Sequence, residues 1–488
     1  MEQNEKTLKE RTVKGLIWSG LGTFAREIAA LVFGVFLARI LSVEDYGTVG
    51  MLQLFVVVAN SLIDSGFVSA LINLKNPQHE DYNAVFWFSI FTGALLYIIL
   101  FLSAGAIADF YNYPELKTLA RVQFIYFFIL GFTSSHRAYL YKNLKNKEAS
   151  LAMLWGVLFS GFIGVIMAKC GMGYWALVAQ NLGYALFFTI AVWLYSPWRC
   201  TLKIDFSPLK KMFGFGVKLM ITNIFNSINE QIFTVLLGRF FKKSDVGQYS
   251  QANKWMTMGQ VLVTGFVSQI AQPVFVEAGD EKSRLLNVFN RMISLAAMLS
   301  FPALFGLAFV APEFIEITIK SKWLQCVPVL RILCIWGAFA PINFLFYTLL
   351  IGRGKSNIYM WVTVAKGAFQ LVVLLFTYHF GIIFMAYFYV VLNILWIGVY
   401  HFFVKKEIDI TILSMIKNCF PYFAAVSAGL ICAYFASVCI NNIYFGIIVK
   451  IAVTSVVYFL ILRLLNDKML YEGIDIFKKK TGLFTGKK

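Results

Sequence analysis

Long apolar runs follow one another along almost all of the 488 residues, separated by short polar connections. A helix needs about 20 apolar residues to cross the hydrocarbon of a bilayer. Read with that window, the sequence predicts about fourteen spans. They are Gly15–Ile40, Tyr46–Leu74, Ala84–Ala108, Thr118–Tyr141, Ala149–Lys169, Met172–Tyr195, Phe213–Phe240, Val246–Phe275, Leu285–Ala311, Trp323–Gly352, Asn357–His379, Ile382–Val404, Met415–Ile440 and Asn442–Leu464. Lipid offers no hydrogen bonds to a backbone, so only helices and closed barrels cross it. Barrel strands of alternating polarity are absent, which leaves an all-α integral membrane protein. Composition agrees: 59% of residues are hydrophobic and only 14% charged. A soluble fold carries about 25% charge, and one this apolar would lack the polar surface to cover itself.

The formal charge is +18. Its lysines and arginines lie mainly in loops between spans, the pattern that holds cationic loops in the cytoplasm. No helix-turn-helix, zinc finger or RNA-binding signature accompanies them, so nucleic acid is not an expected partner. Sorting the loop cations puts Lys6, Lys9, Arg11, Lys14, Lys142, Lys145, Lys147, Lys210, Lys211, Lys405, Lys406 and Lys478–Lys480 on one side. An even number of spans then places both termini in the cytoplasm. The polar start, Met1–Lys14, lacks the short apolar core of a cleavable signal. The seven cysteines show no CxxC and no histidine at metal-ligand spacing, so neither a disulfide framework nor a metal site is expected.

The chain also repeats itself. Leu37-Ala38-Arg39-Ile40 followed by Asp45-Tyr46-Gly47 recurs, 200 residues on, as Leu237-Gly238-Arg239-Phe240 followed by Asp245-Val246-Gly247. Gln53, Asn60 and Asp64 align with Asn253, Gln260 and Thr264 at the same offset. About six spans separate the copies, so both insert in the same sense, a parallel repeat of the kind that flanks a substrate path in transporters. The expected organisation is a six-helix lobe at 1–204, a second at 205–408, two additional helices at 409–466 and a basic tail at 467–488.

Charged side chains inside hydrocarbon are retained mainly where they face protein or water. Arg26 and Glu27 lie on the first span; helical neighbours diverge by about 100°, so they are not expected to pair locally. Gln53, Asn60 and Asp64 share one face of the second span, and Lys218, Thr222, Asn226, Asn229 and Glu230 stripe the seventh. Asn253, Lys254, Gln260 and Thr264 mark the eighth, and Arg291 lies on the ninth. These stripes are expected to line a hydrated cleft, against the plainer reading that they tie helices together. Lys218, Lys254 and Arg291 could equally snorkel to an interface. His136 reads as structural, Arg121, Arg137 and Arg331 as interfacial anchors, and Glu313 and Glu316 as solvated outer-loop carboxylates. No P-loop, nucleophile elbow or His-Glu-x-x-His motif is present, so no enzyme is expected.

The run Lys14-Gly15-Leu16-Ile17-Trp18, the phrase Leu37–Gly47 and the later Asp64-Ser65-Gly66 carry a resemblance. The sequence resembles the Wzx-type, WzxC-like polysaccharide exporters of the multidrug/oligosaccharidyl-lipid/polysaccharide (MOP) flippase superfamily. That resemblance implies a V-shaped fold of two parallel six-helix lobes plus two C-terminal helices. It implies a flippase in the bacterial inner membrane that moves undecaprenyl-pyrophosphate-linked oligosaccharide outward for capsule, exopolysaccharide or O-antigen, alongside a polymerase and glycosyltransferases. By similarity to lipid II flippases, Arg26 would hold the diphosphate, and there the carry-over stops; Lys218 or Lys254 is expected to hold it with Arg26, and Arg291 to meet the substrate. Asn226, Asn229, Gln53, Asn60 and Gln260 would meet the sugars. Asp64, Glu230 and Glu27 are the carboxylates expected to carry a coupling H+ or Na+; no other cofactor is implied. Met415–Leu464 would offer a groove to the lipid tail. A cation-coupled drug extruder of the same superfamily is the main alternative, and a non-transporting scaffold of a synthesis complex is the alternative of another class.

Overall fold

The computed structural model describes residues 20, 22, 24–64, 67–279, 281–467 and 469–471, apart from the side chains at 63, 64, 211, 213–219, 272, 273 and 276–278. The described residues are helical almost throughout and include no strand. Ten helices are long and apolar enough to cross a membrane, or eleven when the pair Glu115–Gly131 and Ser134–Lys142, bent by 43°, counts as one span. The fourteen expected from sequence are not reached on length and apolarity. Helices do occupy the other three positions, at 24–40, Leu209–Phe240 and Lys243–Ala278. In the last two, polar stripes lower the apolarity below that of a plain span, whereas the described part of the first is apolar but too short to count.

The chain divides into two compact units, Met1–Ser250 and Gln251–Lys488. The first contains α1 (24–40), α2 (Val43–Gly50), α3 (Gln53–Asp64), α4 (Phe67–Asn73) and α5 (His79–Tyr111). Next come α6 (Glu115–Gln123), α7 (Ile125–Gly131), α8 (Ser134–Lys142), α9 (Asn146–Lys169), α10 (Trp175–Tyr195) and α11 (Leu209–Phe240). The division falls inside α12 (Lys243–Ala278) because α11 packs on α3 and α4, and the start of α12 packs on α2.

The repeated phrase has a structural meaning here. Asp45 closes a capping box on α2: its carboxylate accepts from the Ser42 amide at 2.9 Å while Ser42 Oγ accepts from the Asp45 amide at 3.1 Å. Asp245 does the corresponding work on α12, accepting from the Lys242 amide at 3.1 Å. The two capped helix starts then cross at their glycines. A Cβ on Gly47 would lie 1.9 Å from the Lys243 carbonyl oxygen, and one on Gly247 would lie 2.0 Å from that of Val43. Only glycine permits backbones this close. Residues 43 and 243, like 47 and 247, stand 200 apart, so each copy of the motif packs against the other. Lys243 pairs with Glu115 beside this crossing and lies 4.3 Å over the Tyr113 ring, while Arg239 donates to the Phe110 carbonyl.

The second unit holds the rest of α12 with α13 (Lys282–Phe309), α14 (Ala311–Ile319), α15 (Val327–Gly352), α16 (Ser356–Thr377), α17 (Ile382–Ile408), α18 (Ile412–Ser437) and α19 (Ile443–Leu464). α15 is its core helix, packed by α13 and α17. The last two helices dock on α13: Tyr458 Oη donates to the Met298 carbonyl at 2.8 Å, and Asn418 Nδ2 to Asn290 Oδ1 at 2.8 Å.

Candidate functional site

Two of the four polar stripes meet within the first unit, where α3 lies along α11. Ser61 Oγ and Ser227 Oγ are 2.8 Å apart across this seam. Next to Ser61, the Asn60 Oδ1 is buried with no hydrogen-bond partner. A buried acceptor left unsatisfied costs about 1–3 kcal/mol, so it marks a place where something other than stability sets the residue. On α11, Thr222 and Asn229 are buried, Asn226 is half-buried and Glu230 is exposed. Gln53 is half-buried at the start of α3. The side chains of Asp64 and Lys218 lie outside the described residues.

Arg26 and Glu27 overturn an expectation. Their side chains form an ion pair, Nη2 to Oε1 at 2.5 Å, each largely shielded at 31% and 22% exposure. The Cα–Cβ vectors of neighbours do diverge, yet both stems are long enough to curl sideways. In a medium that solvates neither charge, that mutual neutralisation outweighs the lost rotamer freedom. Arg26 Nη1 also lies 3.9 Å from Met153 Sδ, which sets this pair against α9. An arginine meant for a diphosphate therefore already holds a carboxylate.

The remaining candidates lie in the second unit. Lys254 and Gln260 are half-buried on α12, beside Trp255, whose ring meets Phe314 edge-on at 4.8 Å. Arg291 is exposed on α13. Sequence reasoning missed a pair here: Glu313, expected to be solvated, sits on α14 with its side chain 20% exposed and bonded to Lys450 of α19 at 2.5 Å. Lys450 also lies 4.9 Å over the Phe309 ring. The two residues are 137 positions apart, so no local spacing could join them. Each was nonetheless a charge amid apolar neighbours, and such charges find partners. Lys450 also lines an apolar groove of about 520 Å³ between α13 and α19, walled by Pro302, Leu307, Phe314, Ile451 and Phe459.

His136, read as structural, is fully buried, stacked on Trp193 at 4.3 Å and edge-on to Trp198 at 4.9 Å. Arg121 lies 4.5 Å over Phe101, and Arg331 Nε donates to the Ala308 carbonyl at 3.1 Å. Among the described residues no cluster of His, Cys, Asp or Glu could hold a metal ion.

Known proteins place these features in a family. The model of the family described as "Polysaccharide biosynthesis protein" matches residues 36–328. The chain is 24% identical over 482 residues to an uncharacterized membrane protein in the cps region of Klebsiella pneumoniae, covering 97% of this chain and 99% of that one. It is 24% identical over 358 residues to the lipopolysaccharide biosynthesis protein WzxC of Escherichia coli, covering 72% of each. Among solved structures it is similar to the lipid II flippase MurJ in an inward closed conformation, with a TM-score of 0.76. That likeness, at 14% identity over 93% of this chain and 100% of the other, shows the fold. With the family model spanning more than half its length, the chain belongs to the polysaccharide biosynthesis protein family and is a multi-pass membrane protein.

Proposed function

We propose that the protein moves an undecaprenyl-pyrophosphate-linked oligosaccharide from the cytoplasmic to the outer leaflet of the bacterial inner membrane, supplying capsule, exopolysaccharide or O-antigen synthesis. The meeting of α3 and α11 carries this reading: an amide-and-hydroxyl seam inside an otherwise apolar unit, with Asn60 Oδ1 unsatisfied and Asn226 and Asn229 alongside. A glycan's hydroxyls cannot cross about 30 Å of hydrocarbon unaided. Amides that donate and accept along a wet path replace their water, while the lipid tail stays in the bilayer. Gln53 and Gln260 extend the amide set. Lys218, Lys254 and Arg291 are the cations assigned to the diphosphate.

The Arg26–Glu27 pair refines the proposed mechanism. A diphosphate approaching Arg26 competes with Glu27 for the guanidinium, and protonation of Glu27 would release it. Glu27 is thereby the proposed link between an H+ gradient and substrate capture, with Asp64 and Glu230 as the other carboxylates able to take H+ or Na+. The groove between α13 and α19 is the proposed seat of the lipid tail. Both termini are placed in the cytoplasm on the strength of the loop cations. A polymerase and glycosyltransferases are the proposed working partners.

The test is a chromosomal deletion complemented with the wild-type chain, Arg26→Ala, Glu27→Gln or Asn229→Ala. The expected result is loss of surface polysaccharide with lipid-linked oligosaccharide accumulating on the inner leaflet in the deletion and in Arg26→Ala. Unchanged surface glycan in the deletion would sink the proposal; unchanged glycan in Arg26→Ala alone would remove only the role of Arg26.

A further inference from the structure

The stretch that joins α10 to α11, residues 196–208, is held in place at the edge of a second groove. Asn83 on α5 grips it in both directions: its Nδ2 donates to the Lys203 carbonyl at 2.6 Å and its Oδ1 accepts from the Thr201 amide at 2.9 Å. Trp87 Nε1 donates to the Thr201 carbonyl at 2.8 Å. A side-chain amide here substitutes for a neighbouring strand, satisfying backbone groups that would otherwise need water. Beyond this grip Leu202, Ile204 and Phe206 alternate in sequence with Lys203 and Asp205, and all five are exposed. The apolar ones are not buried in protein: Leu202 is 87% exposed. Asp205 is turned into its own backbone, accepting from the Ser207 amide at 2.9 Å.

The grip fixes Phe206 and Lys210 over a cavity of about 760 Å³, walled by Phe67, Phe88, Phe91 and Leu95. Phe67 and Phe88 pack edge-on at 4.6 Å, and Phe91 meets Phe206 at 6.1 Å. Among the lining residues only Thr92 and the exposed Lys210 are polar. Phe91 and Leu95 are themselves exposed, so the cavity opens sideways along α5, toward the acyl region. A cation and a histidine lie at this same end of α5. Lys142 donates to the Ile72 and Leu74 carbonyls, which brings the end of α8 to the turn between α4 and α5, and His79 and Thr201 are side by side at 3.4 Å.

We propose that this groove is a binding site for an anionic phospholipid of the surrounding bilayer, its acyl chain lying between α5 and Phe206 and its phosphate at Lys210. An apolar trough with one cation at its mouth matches a chain with a single small anionic head. Besides Lys210 it offers a sugar only the Thr92 hydroxyl, too few partners for the many hydroxyls of a glycan-bearing substrate. Anionic lipids are attracted to juxtamembrane cations, and the exposed Lys203 lies on the same connection. Bound there, the lipid would fasten the connection between the repeats to the membrane face, a site separate from the amide seam of α3 and α11.

Native mass spectrometry of the full-length protein, titrated with phosphatidylglycerol or phosphatidylcholine of identical chains, tests the assignment. The wild-type chain is expected to retain phosphatidylglycerol about fivefold better, the factor one interfacial cation contributes. Lys210→Glu should abolish that preference, and filling the trough with Thr92→Trp should lower retention of both lipids. Leu95→Trp, on the exposed rim, serves if Thr92→Trp does not fold. Equal retention of the two lipids by the wild-type chain, a preference that survives Lys210→Glu, or retention of undecaprenyl phosphate in place of phosphatidylglycerol would each overturn it.

Discussion

Single side chains divide into those that hold helices and those that do not. Ser227 belongs to the first kind. Removing its hydroxyl in Ser227→Ala breaks the contact with Ser61, and an interhelical contact of this type is worth about 0.6 kcal/mol. The expected result is a slightly lower melting temperature in detergent with export retained. Asn60 belongs to the second kind. Its unsatisfied Oδ1 contributes nothing to stability, so Asn60→Ala should melt no lower than wild type, while surface glycan falls if the amide meets sugar. A lower melting temperature with normal export would reverse that assignment. Lys450 and Glu313 are a third case, a pair whose members are each costly alone. Lys450→Ala strands the Glu313 carboxylate and should cost about 1.5–3 kcal/mol, the range for a hydrogen bond to a charged group. The double variant Lys450→Met with Glu313→Leu should recover most of it, because two apolar groups need no partner; chemical denaturation of the two variants measures both.

At the level of elements, the repeat motif turns out to be an architectural device. Leu-Ala-Arg and Asp-x-Gly recur because each copy needs a residue to cap a helix and a glycine to let the other copy's backbone pass. Gly47→Val and Gly247→Val are expected to behave alike, since each would drive a side chain into the carbonyl opposite; membrane yield of folded protein should drop sharply for both. Tolerance of valine at one position only would break the equivalence. Beside the crossing, Lys243 and Glu115 join α12 to α6. Glu115→Lys should reduce export, and the exchanged pair Glu115→Lys with Lys243→Glu should restore it if charge complementarity is what matters there. The sequence showed the motif and its spacing of 200 residues. It could not show that the copies touch, because residues two hundred apart meet only when the helices between them are packed.

For the whole molecule, a transporter of this family should leave a clear deletion phenotype: lost surface polysaccharide without increased sensitivity to cationic drugs. The opposite pattern would favour extrusion of small cations. What the sequence determined by itself was the class of solvent, the helical state, the near-positions of the spans and the identity of the family, for each of these depends on local apolar length or on short contiguous phrases. Part of the shortfall in countable spans was legible too, since Leu209–Phe240 and Lys243–Ala278 carry many polar residues. What tertiary structure alone decided was which charges are engaged. Arg26 curls onto its neighbour Glu27, Lys450 reaches Glu313 from another helix, and Asn83 grips the connection before α11. Periodicity tells which way a Cβ points, but not how far a long side chain bends to avoid an unpaired charge in hydrocarbon, nor which distant helix stands within its reach.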